Sequence, residues 1–481
     1  MRVLPLILAL PLFVMITACL PEFESASDEE EAHADEHWSD TGDDHGDDTG
    51  DDWDDHGDDT GDTGIDPNWV TCSGDYEVDD VDIEGDLAQL AGCEAITGEL
   101  KIHNTSLSSL DALSSLVSVR SLTIQNTWLL DVDGLHNLVS VTRDLDIDDN
   151  VVLANLDGLS SLASVGDDVF IERNNALTDF NLSMLNSVAG DVRLRNNDAL
   201  IDFRLESLVS VGGSLNISSN PDLVNIDGLS GLESVGDALS LYSNPTLHDV
   251  DGLSSLVSVG GGLGLGESVE GEGAGGDEGS EGGESGRCNM TQVNGLSSLA
   301  SVGGSLSIRN CESLTNLDGL SNLASVGSVS IQYNDALTEF SLTSLASLNS
   351  LSIHSNNALT DFSLASLSSV VNSVYIEDNH ALTDFSLASL TSVWGRMRVE
   401  NNDGMTHLNG LSNLTLVDGR LEISDNDALT SLSGVSDLTS VGESVYISDN
   451  PNLCQSSVDA FVAACTVGGS VADITGNNNG C

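Results

Sequence analysis

Leu145-Asp146-Ile147-Asp148-Asp149-Asn150 opens a segment that continues through Leu156-Asp157-Gly158-Leu159 to Val165-Gly166. The same pattern starts again at Val169-Phe170-Ile171 and recurs about every 23 residues, a period typical of leucine-rich solenoids. Each Leu-x-Ile triplet alternates apolar and polar residues as a short strand does, and the Gly-Leu-x-x-Leu-x-x-Val-Gly segment before it closes one turn of the chain. We therefore expect a mostly β protein in which stacked rungs form parallel sheets around a continuous apolar core.

The second apolar residue of each triplet is taken as the anchor of its rung. Alignment on this residue gives roughly sixteen rungs, anchored at Ile102, Ile124, Ile147, Ile171, Leu194, Ile217, Leu241, Leu265, Ile308, Ile331, Ile353, Ile376, Val399, Ile423, Ile447 and Ile474. Three residues after most anchors lies an Asn, the side-chain type that satisfies backbone groups at a turn. Nine residues after several anchors lies Phe180, Phe203, Phe340, Phe362 or Phe385. Both columns are interpreted as scaffold, the first as a ladder and the second as an interior aromatic stack.

The charge of the chain limits its partners. It has 13 Lys and Arg against 78 Asp and Glu, for a formal net charge of −65. Such a charge repels nucleic-acid phosphates and anionic lipid headgroups. We expect no nucleic-acid partner, and contact with a membrane only through a lipid anchor.

The N terminus has the pattern of a bacterial lipoprotein signal. Arg2 precedes an apolar stretch, residues 3–16, that is short for a membrane span, and Ile16-Thr17-Ala18-Cys19 matches a lipobox. We predict a signal peptide over residues 1–18 and a lipid on Cys19. Leu20 is not the Asp that typically retains a lipoprotein in the inner membrane, which favours the outer membrane. The sequence leaves open whether the chain faces the cell surface or the periplasm.

Two segments lack the composition of a packed core. Residues 19–68 are rich in Asp, Glu, Gly and Thr and are predicted to be a disordered acidic tether. The alternative is metal binding by its carboxylates with His33, His37, His45 and His56. Residues 266–287, rich in Gly and Glu, are predicted to be a disordered insertion within one rung. The solenoid itself is expected to span residues 69–481.

The remaining cysteines are expected to be oxidised in an exported protein. Cys454 and Cys481 each lie seven residues after an anchor, and Cys311 takes the place of a ladder Asn with Cys288 almost level one rung earlier. Cys72 and Cys93 are expected to close an N-terminal cap over residues 72–98. A C-terminal cap is expected over 451–481, with a short helix over Ser456–Ala464. The sequence leaves open whether Cys465 is a free buried thiol or competes for Cys454.

Cys72-Ser73-Gly74, followed by the run from Leu90-Ala91-Gly92-Cys93 to Leu100-Lys101-Ile102, resembles the opening of the receptor L-domain family. These are the leucine-rich-repeat-like modules of insulin- and EGF-type receptors, with relatives in bacterial surface proteins. The resemblance implies a right-handed parallel β-solenoid with a face that binds a peptide or protein. The chain departs from the receptors in having more rungs, no Cys-rich partner module and no kinase, so hormone binding does not carry over.

The residues directly before and after each anchor are expected to point outward and form the ligand face. Aromatic residues beside Arg are typical of recognition hot spots, and two such clusters occur: Phe170, Arg193, Arg195 and Tyr242; and Tyr375, Arg398 and Tyr446. The alternative is that strands favour aromatic residues and that a few Arg relieve carboxylate repulsion.

Three classes of function are compatible with this organisation. The first is a lipid-anchored, adhesin-like binding protein that displays its solenoid on an acidic stalk to a protein or glycan ligand. The second is a structural envelope spacer, and the third a polysaccharide-active β-helix enzyme. No nucleophile–His–acid arrangement or zinc-ligand spacing is visible, so we predict no catalytic residues and no cofactor. Weak Ca²⁺ binding is expected at most, at the stacked Asp-Gly turns of Asp133, Asp157, Asp227, Asp251 and Asp318.

Overall fold

The computed structural model describes residues 69–81, 83–267 and 288–481. The expected signal peptide, Cys19 and the acidic tether lie outside the described residues, as does the predicted insertion apart from Gly266 and Glu267. Within the described residues, no helix has the length and apolar character needed to cross a membrane.

The rungs stack through one parallel strand each, as the repeat predicts. Consecutive anchors are direct partners: Ile124 pairs with Ile147, and Ile147 pairs with Ile171. We call these strands together the main sheet; its strands are Tyr76–Val78, Ala95–Thr105, Ser118–Thr127, Leu145–Asp148, Val169–Glu172, Val192–Arg195, Leu215–Ser218, Leu239–Tyr242, Leu263–Gly266, Ser301–Arg309, Ser325–Gln332, Ser350–His354, Val374–Glu377, Met397–Glu400, Leu421–Ser424, Val445–Ser448 and Val471–Asp473.

Most rungs carry a second short strand before the anchor strand, and these also pair in parallel. They comprise Ser140–Val141, Ser164–Val165, Ser187–Val188, Ser210–Val211, Ser234–Val235, Ser258–Val259, Ser347–Leu348, Ser369–Val370, Ser392–Val393, Leu416–Val417, Ser440–Val441 and Thr466–Val467. Four longer main-sheet strands include this segment. Glu339–Ser341 and Asp361–Ser363 form a further two-stranded sheet.

Short 3-10 turns connect the two strands of many rungs. They are Asp111–Leu113, Asp133–Leu135, Asp157–Leu159, Asp227–Leu229, Asp251–Leu253, Asn294–Leu296, Asp318–Leu320, Asn409–Leu411 and Ser433–Val435. All of these turns except Asp111–Leu113 have a central Gly, which close packing between rungs requires: a Cβ on Gly252 would lie 1.8 Å from the carbonyl oxygen of Ile226.

The interior is one continuous apolar cluster that runs through the stack. The anchors from Ile102 to Ile447 are fully or almost fully buried. The Phe residues predicted to stack do so: the rings of Phe340 and Phe362 are 5.3 Å apart and those of Phe362 and Phe385 are 5.4 Å apart, all nearly parallel. Stacking at this spacing follows from placing one ring per rung.

The predicted Asn column is a buried ladder of hydrogen bonds between rungs. The Nδ2 of Asn174 donates to the carbonyl of Ile147 at 2.8 Å, and its Oδ1 accepts the backbone N–H of Asn150 at 3.1 Å. The residue before each ladder Asn from Asn150 to Asn450 is left-handed, with φ between 52° and 57°, as at Arg173. Such backbone costs about 1 kcal/mol or more for an L residue, so the ladder bonds hold a strained corner in place.

Each end of the stack is closed by a helix and a disulfide, and a third disulfide lies within the stack. Disulfides join Cys72 to Cys93, Cys288 to Cys311, and Cys454 to Cys481. Cys465 is a buried free thiol, and burial raises its pKa.

Of the helices, Gln455–Ala464 confirms the predicted C-terminal cap helix, whereas Ile83–Leu90 was not predicted. Strand Tyr76–Val78 adds a rung below Ile102, also not predicted. In the last rung Ile474 lies beyond the end of strand Val471–Asp473 and is only partly buried.

Candidate ligand-binding face

The main sheet presents an outward surface formed by the residues on either side of each anchor, here called the outer face. Most of these side chains are half-buried because each packs against its equivalents in the neighbouring rungs. The predicted clusters both lie on this face, and the chemistry of each is set by which residue types meet across the strands.

The first patch of the outer face consists of Asp146, Asp148, Phe170, Glu172, Arg193 and Arg195. Phe170 pairs with Arg193 across adjacent strands, and the Arg193 guanidinium lies over the Phe170 ring at 4.5 Å from its centre. This contact is a cation–π interaction of about 0.5–1 kcal/mol at an exposed site. The Nη2 of Arg193 is also 3.2 Å from Asp191 Oδ2.

Tyr242 was predicted to belong with this patch, but it lies two strands beyond Arg195. Ser218 is the strand partner of Arg195, and Tyr242 pairs instead with Gly266. The Tyr242 ring occupies the space above Gly264, where a Cβ would come within 1.7 Å of the phenol oxygen. The structure therefore separates Tyr242 from the Arg residues with which the sequence grouped it.

Three carboxyl groups in the first patch were not selected from the sequence. Asp148 is only 5% exposed; its Oδ2 accepts hydrogen bonds from Arg173 at 2.7 Å and Gln125 at 3.1 Å. Glu172 lies one strand further on, 3.5 Å from Arg173, and burial raises its pKa. Burial, together with the charges of Asp148 and Glu172, raises the pKa of Asp146 to about 6. Carboxylates on adjacent strands of the same face were the available signal in the sequence.

Several polar atoms of the first patch are buried without a hydrogen-bond partner in the described structure. They are Asp148 Oδ1, Glu172 Oε1, Arg195 Nε and Asn216 Oδ1. Leaving such an atom unpaired costs about 1–3 kcal/mol. These four atoms lie on consecutive strands, with Asn216 on the strand next to the patch. Glu172 Oε1 also lies 3.9 Å from Arg195 Nη1, within ion-pair distance.

The second patch consists of Tyr375, Glu377, Arg398, Glu400, Glu422 and Tyr446, with Arg420 at its edge. Tyr375, Arg398, Glu422 and Tyr446 follow one another across four strands. Arg398 sits between carboxylates, 3.3 Å from Glu377 and 3.4 Å from Glu422, and also contacts Glu400. Burial raises the pKa of Glu400. Both patches are thus ion-paired: in the first, Arg173 contacts Asp148 and Glu172, Arg193 contacts Asp191, and Arg195 Nη1 lies 3.9 Å from Glu172 Oε1.

Arg420, which the sequence did not select, is the guanidinium that covers Tyr446. Its Cζ lies 4.4 Å from the centre of that ring, whereas Arg398 is separated from Tyr446 by the strand of Glu422. Arg420 lies three residues before its anchor Ile423 and outside the strand. It is therefore not one of the residues directly before or after an anchor that the sequence predicts to point outward.

Other candidate sites lie apart from the outer face. In the part of the chain that the structure describes, potential metal-ligand atoms gather in two groups: Glu77, Asp79 and His103; and Asp144, Asp167 and Asp168. Neither group contains a residue of the stacked Asp-Gly turns. A cavity of about 600 Å³ beside Phe180 and Phe203 contains no residue of either patch.

Part of the described solenoid matches a known family of repeats. The receptor L domain model matches residues 278–386 and 381–462. These residues belong to the receptor L-domain family. Repeats of this receptor L-domain and leucine-rich type point to a binding or recognition role, and such folds are typically non-enzymatic.

An internalin from Listeria monocytogenes is 17% identical, covering 74% of this chain and 88% of that one, with a TM-score of 0.30. TLR13, solved in complex with ssRNA13, is 13% identical, covering 82% of this chain and 80% of that one, with a TM-score of 0.19. No curated protein matches the chain.

Proposed function

We propose that this chain is a recognition protein that binds a protein or glycan ligand on its outer face. The observation that carries the proposal is the first patch, where aromatic, basic and acidic side chains meet and buried polar atoms lack partners. Aromatic and Arg side chains brought together in this way are typical of the energetic centres of interfaces.

The distribution of basic residues supports this use of the outer face. The chain has 13 Lys and Arg in all, and five of them, Arg173, Arg193, Arg195, Arg398 and Arg420, lie in or beside the two patches. Arg is enriched at the energetic centres of interfaces because its planar guanidinium stacks on rings and forms paired hydrogen bonds.

The proposed location rests on the sequence of the N terminus. A lipid on Cys19 would hold the chain at the outer membrane, with residues 19–68 as the stalk of an adhesin-like protein. The test is metabolic labelling with a fatty acid together with membrane fractionation. Cys19→Ser should remove the label and release the protein from the membrane fraction, while Cys465→Ser should leave both unchanged.

The binding proposal is tested by a screen of the full-length chain against glycans, peptidoglycan fragments and envelope proteins. The double variant Arg193→Gln/Arg195→Gln removes the positive groups of the first patch. Arg120→Gln/Arg204→Gln removes the same charge from two exposed residues outside the patches. A ligand lost only with the first variant supports recognition through the outer face.

Two other results of this screen would change the conclusion. Saturable binding that both variants retain would place the site elsewhere on the solenoid. An absence of any ligand would favour a structural spacer in the envelope, for which the continuous stack of rungs is suited.

A further inference from the structure

The cavity beside Phe180 and Phe203 exists because two consecutive rungs lack a turn. In the rung before them, Leu156-Asp157-Gly158-Leu159 contains a 3-10 turn, whereas these rungs have the shorter segments Phe180-Asn181-Leu182 and Phe203-Arg204-Leu205. In the described chain, no 3-10 turn occurs from residue 160 to residue 226. The two rungs are therefore recessed beside the turn of Asp157, and the resulting cavity has a volume of about 600 Å³.

The floor of the cavity combines hydrogen-bond acceptors with donors. The backbones of Asn181 and Arg204 are bridge partners on adjacent rungs, so their side chains project in the same direction. Asp179 and Asp202 lie two residues earlier on the same two rungs, and each is separated from Asn181 or Arg204 by a buried Phe. All four side chains therefore point outward into the cavity, which they help to line. They supply two carboxylates, one amide and one guanidinium.

The fold does not require an amide and a guanidinium at these positions. Three later rungs have the same short segment, and each has Ser at the position of Asn181 and Arg204: Phe340-Ser341-Leu342, Phe362-Ser363-Leu364 and Phe385-Ser386-Leu387. The Phe rings of those rungs stack as Phe180 and Phe203 do, whose rings are 5.6 Å apart. Asn181 and Arg204 are thus features of this cavity and not of the rung that carries them.

The Arg204 guanidinium has no hydrogen bond or ion pair with any described residue, although the chain has 78 Asp and Glu. Arg143, Arg173 and Arg398, by contrast, each contact a carboxylate. Asn181 Oδ1 accepts the backbone N–H of Ser183 at 3.0 Å, a bond that leaves the amide nitrogen to donate elsewhere. The cavity therefore presents donors that the fold does not use.

We propose that this cavity is a binding site for a neutral saccharide. A sugar hydroxyl both donates and accepts, so a sugar ring donates to Asp179 and Asp202 and accepts from Asn181 and Arg204. Ile201, 49% exposed in the cavity lining, offers an apolar contact for the C–H groups of the ring. The volume lies within the range of small-molecule sites, about 300–1,000 Å³.

Charged ligands fit this lining less well. An anion would meet the carboxylates of Asp157, Asp179 and Asp202 with one guanidinium to oppose them, and a cation would meet Arg204. A metal ion requires converging ligand atoms. Among the described residues, the groups whose ligand atoms gather within 4.8 Å of one another include none of these Asp. A neutral ligand rich in hydroxyl groups uses both kinds of side chain without this repulsion.

The probes are maltose, cellobiose, lactose and N,N′-diacetylchitobiose, each titrated into the full-length chain and followed by saturation-transfer NMR of the sugar protons. At least one should bind saturably. Asn181→Ser/Arg204→Ser introduces the residue that the later Phe rungs have at this position, so the variant should fold normally. It should weaken binding at least about tenfold, the scale of one lost hydrogen bond to a charged group. Urea unfolding checks that its stability is retained.

Arg120→Ser is the matched control, because it removes the same charge from an exposed residue outside the cavity. It should bind the sugar as the wild type does. Failure of all four disaccharides to bind would overturn the inference. Saturable binding that Asn181→Ser/Arg204→Ser leaves unchanged would also overturn it, as would an equal loss of binding in Arg120→Ser.

The cavity goes beyond the proposed function, since it shares no residue with either patch of the outer face. The binding screen separates the two sites. A glycan lost with Arg120→Gln/Arg204→Gln but retained by Arg193→Gln/Arg195→Gln binds in the cavity, and the outer face is then not its site. A natural ligand lost only with Arg193→Gln/Arg195→Gln, together with no disaccharide binding, would support the outer face and refute the saccharide site.

Discussion

Replacing Asn379 by Ala should destabilise the centre of the solenoid by several kcal/mol. Asn379 is fully buried, and its Nδ2 donates to the carbonyls of Ile353 at 3.0 Å and Glu377 at 2.8 Å. Its Oδ1 accepts the backbone N–H of Asn356 at 3.1 Å. Three buried backbone groups therefore lose a side-chain partner in Asn379→Ala. The Glu377 carbonyl keeps the backbone N–H of Ser355 as a donor at 3.1 Å. At about 1–3 kcal/mol for each of the other two groups, with some relief from relaxation, we expect a loss of about 2–4 kcal/mol.

The matched control is Asn357, the residue after the ladder residue Asn356 of the preceding rung. Asn357 is exposed and donates to Asp335 at 2.8 Å, so Asn357→Ala should cost less than about 1 kcal/mol. Asn379→Asp keeps the shape and the acceptor but places a carboxylate against the carbonyls of Ile353 and Glu377. We expect it to be at least as damaging at pH 7 as Asn379→Ala.

The assay is urea denaturation of each variant combined with hydrogen exchange. Solenoids unfold partly by segments, so one urea unfolding curve does not give the stability of a single rung. The exchange rates of individual amides report the free energy of local opening in each rung. Amide protection should fall most in the rungs of Ile353 and Ile376. A loss of stability in Asn379→Ala within 1 kcal/mol, roughly, of that in Asn357→Ala would refute the assignment of the ladder as a main source of stability.

Further perturbations address the carboxyl, aromatic and disulfide features of the stack. Asp146→Asn should raise the free energy of unfolding at pH 7 by about 1–1.5 kcal/mol, a figure reduced for solvent screening. The folded carboxyl titrates at about 6 and the unfolded one near 3.8, so the penalty grows as pH rises between them and is complete above pH 6. Chemical denaturation at several pH values checks this, and a gain that persists below pH 4, roughly, would contradict it. Phe362→Ala should cost about 3–5 kcal/mol and Phe362→Leu markedly less, measured in urea; equal losses would argue against ring stacking as the cause. Removing both Cys288 and Cys311 as Ser should cost about 2–4 kcal/mol in thermal unfolding, whereas the free thiol variant Cys465→Ala should change little. A stability matching the wild type would show that this disulfide is dispensable.

The regular part of the fold could be predicted from the sequence because one period fixes every rung. The anchor column, the Asn ladder and the Phe stack each follow from residues at a constant offset, and the strand pairs confirm that offset from Ile102 to Ile447. The N-terminal strand Tyr76–Val78 and the helix Ile83–Leu90 do not repeat elsewhere, so the period carried no information about them.

The outer face could be predicted only in part. Offsets from the anchors place Phe170 opposite Arg193, which the structure shows in contact. They do not determine which way a long side chain turns, so Arg420 over Tyr446 could not be foreseen. The burial of Asp148 likewise depends on how side chains from several rungs pack together. The pattern of one repeat gives no information about this packing.

The Asn ladder also gives the solenoid a direction. Each ladder Asn bonds to backbone groups of the rung before it, as Asn174 does to Ile147 and Asn150. A rung therefore has unpaired polar groups until its successor in the chain arrives. The two faces of a rung therefore differ: one donates and accepts through its own Asn side chain, and the other depends on the Asn side chain of the following rung. The last ladder residue of the described rungs, Asn477, donates to the carbonyl of Ile447 at 2.7 Å, near the Cys454–Cys481 disulfide.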